Sequence, residues 1–136
     1  MNFAKMMKYF AMTVLFAVGL LQFNCDLFTE SSGKDVFVKF DIEFAFQNDS
    51  IRLLLDNKIL VETNVTTNYT VSLAWSSGLQ KLTSGNHIVR FFILNRGIQG
   101  QFSFFTSFDT STVAIRLAPQ TNQLSFQYFK GVLLRD

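Results

Sequence analysis

The chain has 136 residues, 49% of them hydrophobic, with 12 Lys and Arg against 10 Asp and Glu, one histidine and one cysteine. A single cysteine excludes an internal disulfide framework, and one His with one Cys leaves no ligand cluster of those types for a metal, so neither metal nor cofactor is expected. Lys5 and Lys8 make up the whole basic excess; once they are set aside the charge balances, and no basic stripe remains to displace counterions from a phosphate backbone, which excludes nucleic acid as a partner.

The N-terminal stretch differs in kind from the rest. Lys5 and Lys8 precede an apolar run, "YFAMTVLFAVGLLQF", from Tyr9 to Phe23. The run is shorter than the roughly 20 residues a membrane helix needs, and with its positive flank it reads as a secretory signal peptide, a signal helix over residues 1–24. The lone cysteine, Cys25, follows directly. "LQFNC" resembles the lipobox of bacterial lipoproteins, in the relaxed form found in spirochaetes and some other diderm bacteria: Gln22 and Asn24 stand where Leu and a small residue are usual, and Leu21 lies one position early. That resemblance implies acylation of Cys25, a membrane partner reached through the lipid anchor, and a place in the cell envelope, at the outer membrane or cell surface in preference to the inner membrane. Two or more acyl chains give a stable tether, since each buried CH₂ contributes about 0.8 kcal/mol. Residues 25–34 then form the lipidated cysteine with a short polar tether, and residues 35–136 have the size of one ordinary domain.

Taken in order, the domain reads as strands. "DVFVKFDIEFAF", Asp35 to Phe46, alternates strictly: Val36, Val38, Phe40, Ile42, Phe44 and Phe46 on one face, Asp35, Phe37, Lys39, Asp41, Glu43 and Ala45 on the other. This predicts one long strand, buried on one side and wet on the other. In "SIRLLLDNKILVE", Ser50 to Glu62, Asp56-Asn57 predicts a tight hairpin turn, because both residue types tolerate positive φ. "TVSLAW", Thr70 to Trp75, alternates again, and "SSGLQKLTSGN", Ser76 to Asn86, reads as a glycine-containing loop. "HIVRFFIL", His87 to Leu94, is apolar on both faces and predicts a central strand covered on two sides. After a turn at "NRGIQG", "QFSFFTSF" shifts its alternation at Phe104-Phe105, the mark of a bulge. "TVAIRLAP" predicts a strand closed by Pro119, and "QLSFQYFKGVLL" one with Leu124, Phe126 and Tyr128 inward.

About eight strands at intervals of roughly ten to twelve residues predict an all-β, antiparallel sandwich or barrel. "SGNHIVRF" resembles a G-x-H-x-V-x-V phrase of bacterial immunoglobulin-like and fibronectin-like domains, which implies an immunoglobulin-like β-sandwich; a lipocalin-like β-barrel holding a small hydrophobic ligand is the alternative.

Little in the chain points to catalysis. His87, at the start of a strand, fits a rim or capping role. Asp41 and Glu43 form the one carboxylate pair, about 7 Å apart at the backbone, a spacing compatible with glycosidase chemistry or calcium; Lys39 and Asp35 on the same face make a solvated strand surface the simpler reading. Asn48, Asn64 and Asn68 each begin an Asn-x-Ser/Thr triplet, the basis for a rival reading as a eukaryotic secreted glycoprotein. Among the seventeen phenylalanines, Phe37, Phe91, Phe105 and Phe129 fall opposite the presumed core stripe. The expectation is a lipid-anchored, non-enzymatic module that binds a protein or glycan.

Overall fold

The computed structural model describes residues 33–133. The expected signal segment 1–24, Cys25 and most of the expected tether therefore lie outside the described residues, and among the described residues no helix is long and apolar enough to cross a membrane.

Eight strands follow one another: β1 (Asp35–Glu43), β2 (Asp49–Leu55), β3 (Lys58–Val65), β4 (Leu73–Thr83), β5 (Gly85–Ile93), β6 (Ile98–Thr106), β7 (Thr110–Ala118) and β8 (Gln123–Lys130). They form two separate four-stranded sheets, ordered β4-β1-β7-β8 and β3-β2-β5-β6, and not one closed barrel. Inward residues from both sheets fill the space between them: Val38, Phe40 and Ile42 of β1 and Val113, Ile115 and Leu117 of β7 meet Ile51 and Leu53 of β2 and Val89, Phe91 and Ile93 of β5. Alternation along each strand puts these side chains on one face, and burying each contributes on the order of 1.5–3 kcal/mol.

The all-antiparallel expectation needs one correction. β1 and β7 pair in parallel, from Phe37↔Thr110 to Glu43↔Arg116. The cause is topological. β6 ends at the pole where β1 begins, so residues 107–109 return the chain to the first sheet with β7 pointing the same way as β1. The Phe37 amide donates to the Asp109 carbonyl at 2.9 Å, and Lys34 pairs with the Asp109 carboxylate, pinning that start. The strand order also departs from that of constant-type immunoglobulin domains. There the first two strands share a sheet; here β1 and β2 lie in different sheets.

Three local expectations are corrected as well. The long first strand stops at Glu43, because Phe44 and Ala45 adopt φ of 63° and 55°. That left-handed kink throws Phe44 outward and returns Phe46 to the core, fully buried. "SSGLQKLTSG" is no loop: most of it is β4, which pairs with β1 through two register shifts, and Gly78 (φ 65°) sits where an extra residue is absorbed. The Phe40 amide, displaced there from the ladder, donates to Ser77 Oγ at 2.9 Å. Finally, β6 has no bulge. Its pairing with β5 runs unbroken from Gly85↔Thr106 to Ile93↔Ile98, with Phe104 inward and Phe105 outward.

The Asp56-Asn57 turn forms as predicted, with φ of 48° and 66° at its two central residues, the signature of a type I′ hairpin. β7 ends one residue before Pro119, and Leu124, Phe126 and Tyr128 pack against the core. β5 is central in its sheet but covered on one side alone: Val89, Phe91 and Ile93 are buried while Ile88 and Leu94 are exposed. Phe91 thus belongs to the core, contrary to its expected placing, whereas Phe37 and Phe105 do face solvent and Phe129 is half-buried.

Candidate functional site

The face of β1 expected to be wet carries the carboxylate pair, and the structure brings Lys39, Asp41, Glu43 and Arg116 together there. Asp41 sits between Ser76 of β4 and Ala114 of β7; Glu43 sits between Leu73 and Arg116. Ser76 Oγ donates to Asp41 Oδ1 at 2.7 Å, and Lys39 Nζ lies 3.0 Å from Asp41 Oδ2. Arg116 Nε donates to Glu43 Oε2 at 2.6 Å while its Nη1 donates to Gln127 Oε1 at 2.6 Å. The solvated reading is corrected: Asp41 and Glu43 are both fully buried. Each has its own cation in contact, which offsets the desolvation that an isolated buried carboxylate would suffer. A general acid or base must reach a substrate proton, and neither carboxylate is open to one. The Lys39 ammonium also donates to the Leu133 carbonyl at 3.2 Å, so the C-terminal segment lies along this ladder. Among the described residues no group of three or more His, Cys, Asp or Glu side chains could hold a metal ion.

At its Glu43 end the ladder opens into a groove of about 420 Å³ lined by Phe44, Tyr69, Arg116, Leu117, Pro119 and Ser125. The lining is mostly apolar, with the Arg116 guanidinium 5.9 Å from the centre of the Phe44 ring. Phe44 is 39% exposed and Tyr69 64%, so two aromatic side chains reach solvent at its lip. Strand directions explain the location. β1, β3, β5 and β7 end at this pole, and the connections 44–48, 66–72, 94–97 and 119–122 all gather there.

The lip is strained and firmly held. A bulky residue at positive φ is uncommon, and two consecutive non-glycine residues in that region cost on the order of 1–3 kcal/mol each. Phe46 anchors the strained pair from below: its amide donates to Thr67 Oγ1 at 3.0 Å, the Thr67 amide donates back to the Phe46 carbonyl at 2.9 Å, and its ring meets Phe91 edge-on with centroids 6.0 Å apart. Asp49 closes the other side. Its buried carboxylate accepts Arg96 Nε at 2.7 Å and Nη2 at 2.6 Å, Asn95 Nδ2 at 3.2 Å and the Gln47 amide at 2.9 Å. Two-pronged guanidinium contact of this kind fixes orientation as well as distance. The 44–48 and 94–97 turns are thereby clamped together.

His87 is structural. It is buried, with Nδ1 2.7 Å from Asp56 Oδ2 and Nε2 2.7 Å from the Thr83 carbonyl, while Asp56 Oδ1 accepts the Ile88 amide at 2.9 Å. It ties the β2–β3 turn to the start of β5, at the pole away from the groove. Asn48, Asn64 and Asn68 are exposed and stand near the groove pole. Cys25 lies outside the described residues. Two surface carboxyls are shifted: the hydrogen bond from Arg52 holds Glu62 below its usual range, and the bond from Lys34 does the same for Asp109. Each steadies the fold above the ordinary carboxylate range, an effect lost as pH falls through the lowered value. Both pairs lie at the surface, screened by solvent, and so contribute little.

Phe44, Tyr69, Arg116 and the Asp49–Arg96 clamp were not picked out by sequence reasoning. One signal was available: Tyr69 is the single aromatic residue in "ETNVTTNYT", where every other residue but Val65 is polar. Comparison with protein-family models returns no match to this chain, and comparison with curated proteins returns none either.

Proposed function

We propose that the chain is an exported lipoprotein of the cell envelope, anchored to a membrane through Cys25, whose β-sandwich works by binding and not by catalysis. The observation that supports this reading is the polarity of the domain. Gly33 and Lys34 lead into β1 at one pole, and β1 then runs nine residues, about 30 Å at roughly 3.3 Å per residue, to the pole that carries the groove. A tether ending at Cys25 would hold the first pole toward the membrane and present Phe44, Tyr69 and Pro119 outward. The lip suits a partner with a flat apolar face, either a glycan ring or a peptide side chain, because exposed rings carried on a pinned backbone leave less chain freedom to be lost on binding. Outer membrane or cell surface fits such presentation better than the inner membrane. The exposure of Asn48, Asn64 and Asn68 at the same pole favours a second reading, a eukaryotic secreted glycoprotein with glycans around the groove.

Glycan and peptide arrays probed with the full chain in detergent test the binding role. Phe44→Ser and Tyr69→Ser are each expected to weaken array binding about tenfold or more. Phe108→Ser, which removes an exposed ring at the opposite pole, should leave it unchanged. No binding to either array, or equal binding by all three variants, would contradict the role assigned to the groove.

A further inference from the structure

Among the described residues the two sheets end in four edge strands, and the four edges are not alike. β3 and β4, on one side of the sandwich, carry the features that discourage strand addition. β3 has Lys58 and Glu62, and its pairing with β2 shifts register between Leu53 and Leu54. β4 has Lys81 and two register shifts against β1. Charges and bulges of this kind protect an edge whose unpaired N–H and C=O groups would otherwise accept another strand.

β6 has none of them. Its sequence, "IQGQFSFFT", contains no charged residue and no proline, and it pairs with β5 at nine consecutive positions without a shift. β8, the edge beside it in the other sheet, carries one charge, Lys130 at its last position, and pairs with β7 at eight positions without a shift. The two edges are locked together. Phe102 stacks on Phe126 with centroids 5.6 Å apart and planes 6° from parallel, Phe104 lies 5.5 Å from Tyr128, and the Tyr128 hydroxyl donates to Thr106 Oγ1 at 3.2 Å. A Cβ at Gly100 would meet the Phe126 ring at 2.9 Å, so that glycine lets the seam close. The β6 edge is therefore regularly paired on its inner side, uncharged and backed by aromatic packing.

We infer that β6 pairs antiparallel with β6 of a second copy of this chain, joining two β3-β2-β5-β6 sheets into one eight-stranded sheet across a two-fold axis. A second copy suits this edge because a strand opposed to itself by a two-fold meets its own sequence reversed. An uncharged strand then meets no like charge, whereas charges directly opposite one another are unfavourable. A two-fold centred on Phe102 sets Gln101 against Ser103 and Gln99 against Phe105. The Phe105 ring, 58% exposed on the outer face of the sheet, is covered there by a glutamine stem from the partner. A closed two-fold pair also uses up the edge and stops further strand addition.

The test is the protein mass of the full chain in detergent micelles, measured by sedimentation or light scattering across the micromolar range. Two chains per particle is the expected result. Gln101→Lys/Ser103→Lys, both exposed positions on the outer face, should weaken the dimer about tenfold or more by setting lysines against one another at the axis. Asn64→Lys, on the exposed outer face of β3, should leave it intact. A chain that stays monomeric throughout overturns the proposal. So does a dimer that survives the double substitution, which would place the contact elsewhere, or one that Asn64→Lys disrupts equally.

Discussion

Phe46→Ala is expected to cost the domain about 3–5 kcal/mol, read as a fall in the urea midpoint with little change in slope. The residue is fully buried although it lies between strands, and it stacks edge-on against Phe91, another fully buried ring. Truncation removes that ring contact and leaves a void that the surrounding β-strands cannot collapse to fill. The expected loss is a third or more of the stability of many domains, which lies around 5–15 kcal/mol. It should also loosen the groove. Phe44 and Ala45 keep their unfavourable backbone angles because the chain on either side is pinned, and the buried Phe46 ring is part of the pin on one side. A cost below about 1 kcal/mol would mean that the kink is held by something else.

Arg96→Ala should cost about 3–4 kcal/mol, because it leaves the Asp49 carboxylate buried with its cation gone. Asn95 and the Gln47 amide would remain as partners but bring no positive charge. At roughly 4–8 °C per kcal/mol for a domain near 100 residues, the midpoint of thermal unfolding should fall by about 12–32 °C. The double variant Asp49→Ala/Arg96→Ala should cost less than the sum of its two single substitutions, since the second change removes the orphaned charge. Additive losses would show that the two side chains do not act as a clamp.

Much of this architecture was legible in the sequence where one residue type admits few backbone choices. Asp56-Asn57 could be read as a hairpin turn because few residues tolerate two successive positive φ values. The Val36, Val38, Phe40, Ile42 alternation identified the buried face of β1, and Pro119 marked the end of β7. Other features were hidden for physical reasons. Alternation has the same period in parallel and antiparallel strands, so the β1–β7 pairing left no trace. A glycine serves a loop and a bulge equally well, and Gly78 was read as the former. Nothing about the types Phe and Ala announces the left-handed pair at Phe44-Ala45, because it is imposed by the anchors around it. The alternation placed Asp41 and Glu43 on the correct face, but a pattern of faces cannot report whether a face is covered. The stretch His87–Leu94 shows the converse: Ile88 of β5 and Leu94 just after it suggested a covered face and are exposed. The groove unites Phe44–Ala45, Tyr69, Arg116–Pro119 and Ser125, segments distant in the chain, so it emerges only from the order of the strands.

Intact-mass spectrometry of the chain, recovered from native membranes beside a Cys25→Ser variant, bears most directly on the proposal of a lipid-anchored binding module. The expected species starts at Cys25 with the added mass of two or three acyl chains, and the variant lacks that mass. A mature protein that keeps Met1, or that carries no acyl group and gains hexose mass at Asn48, Asn64 or Asn68, would contradict it.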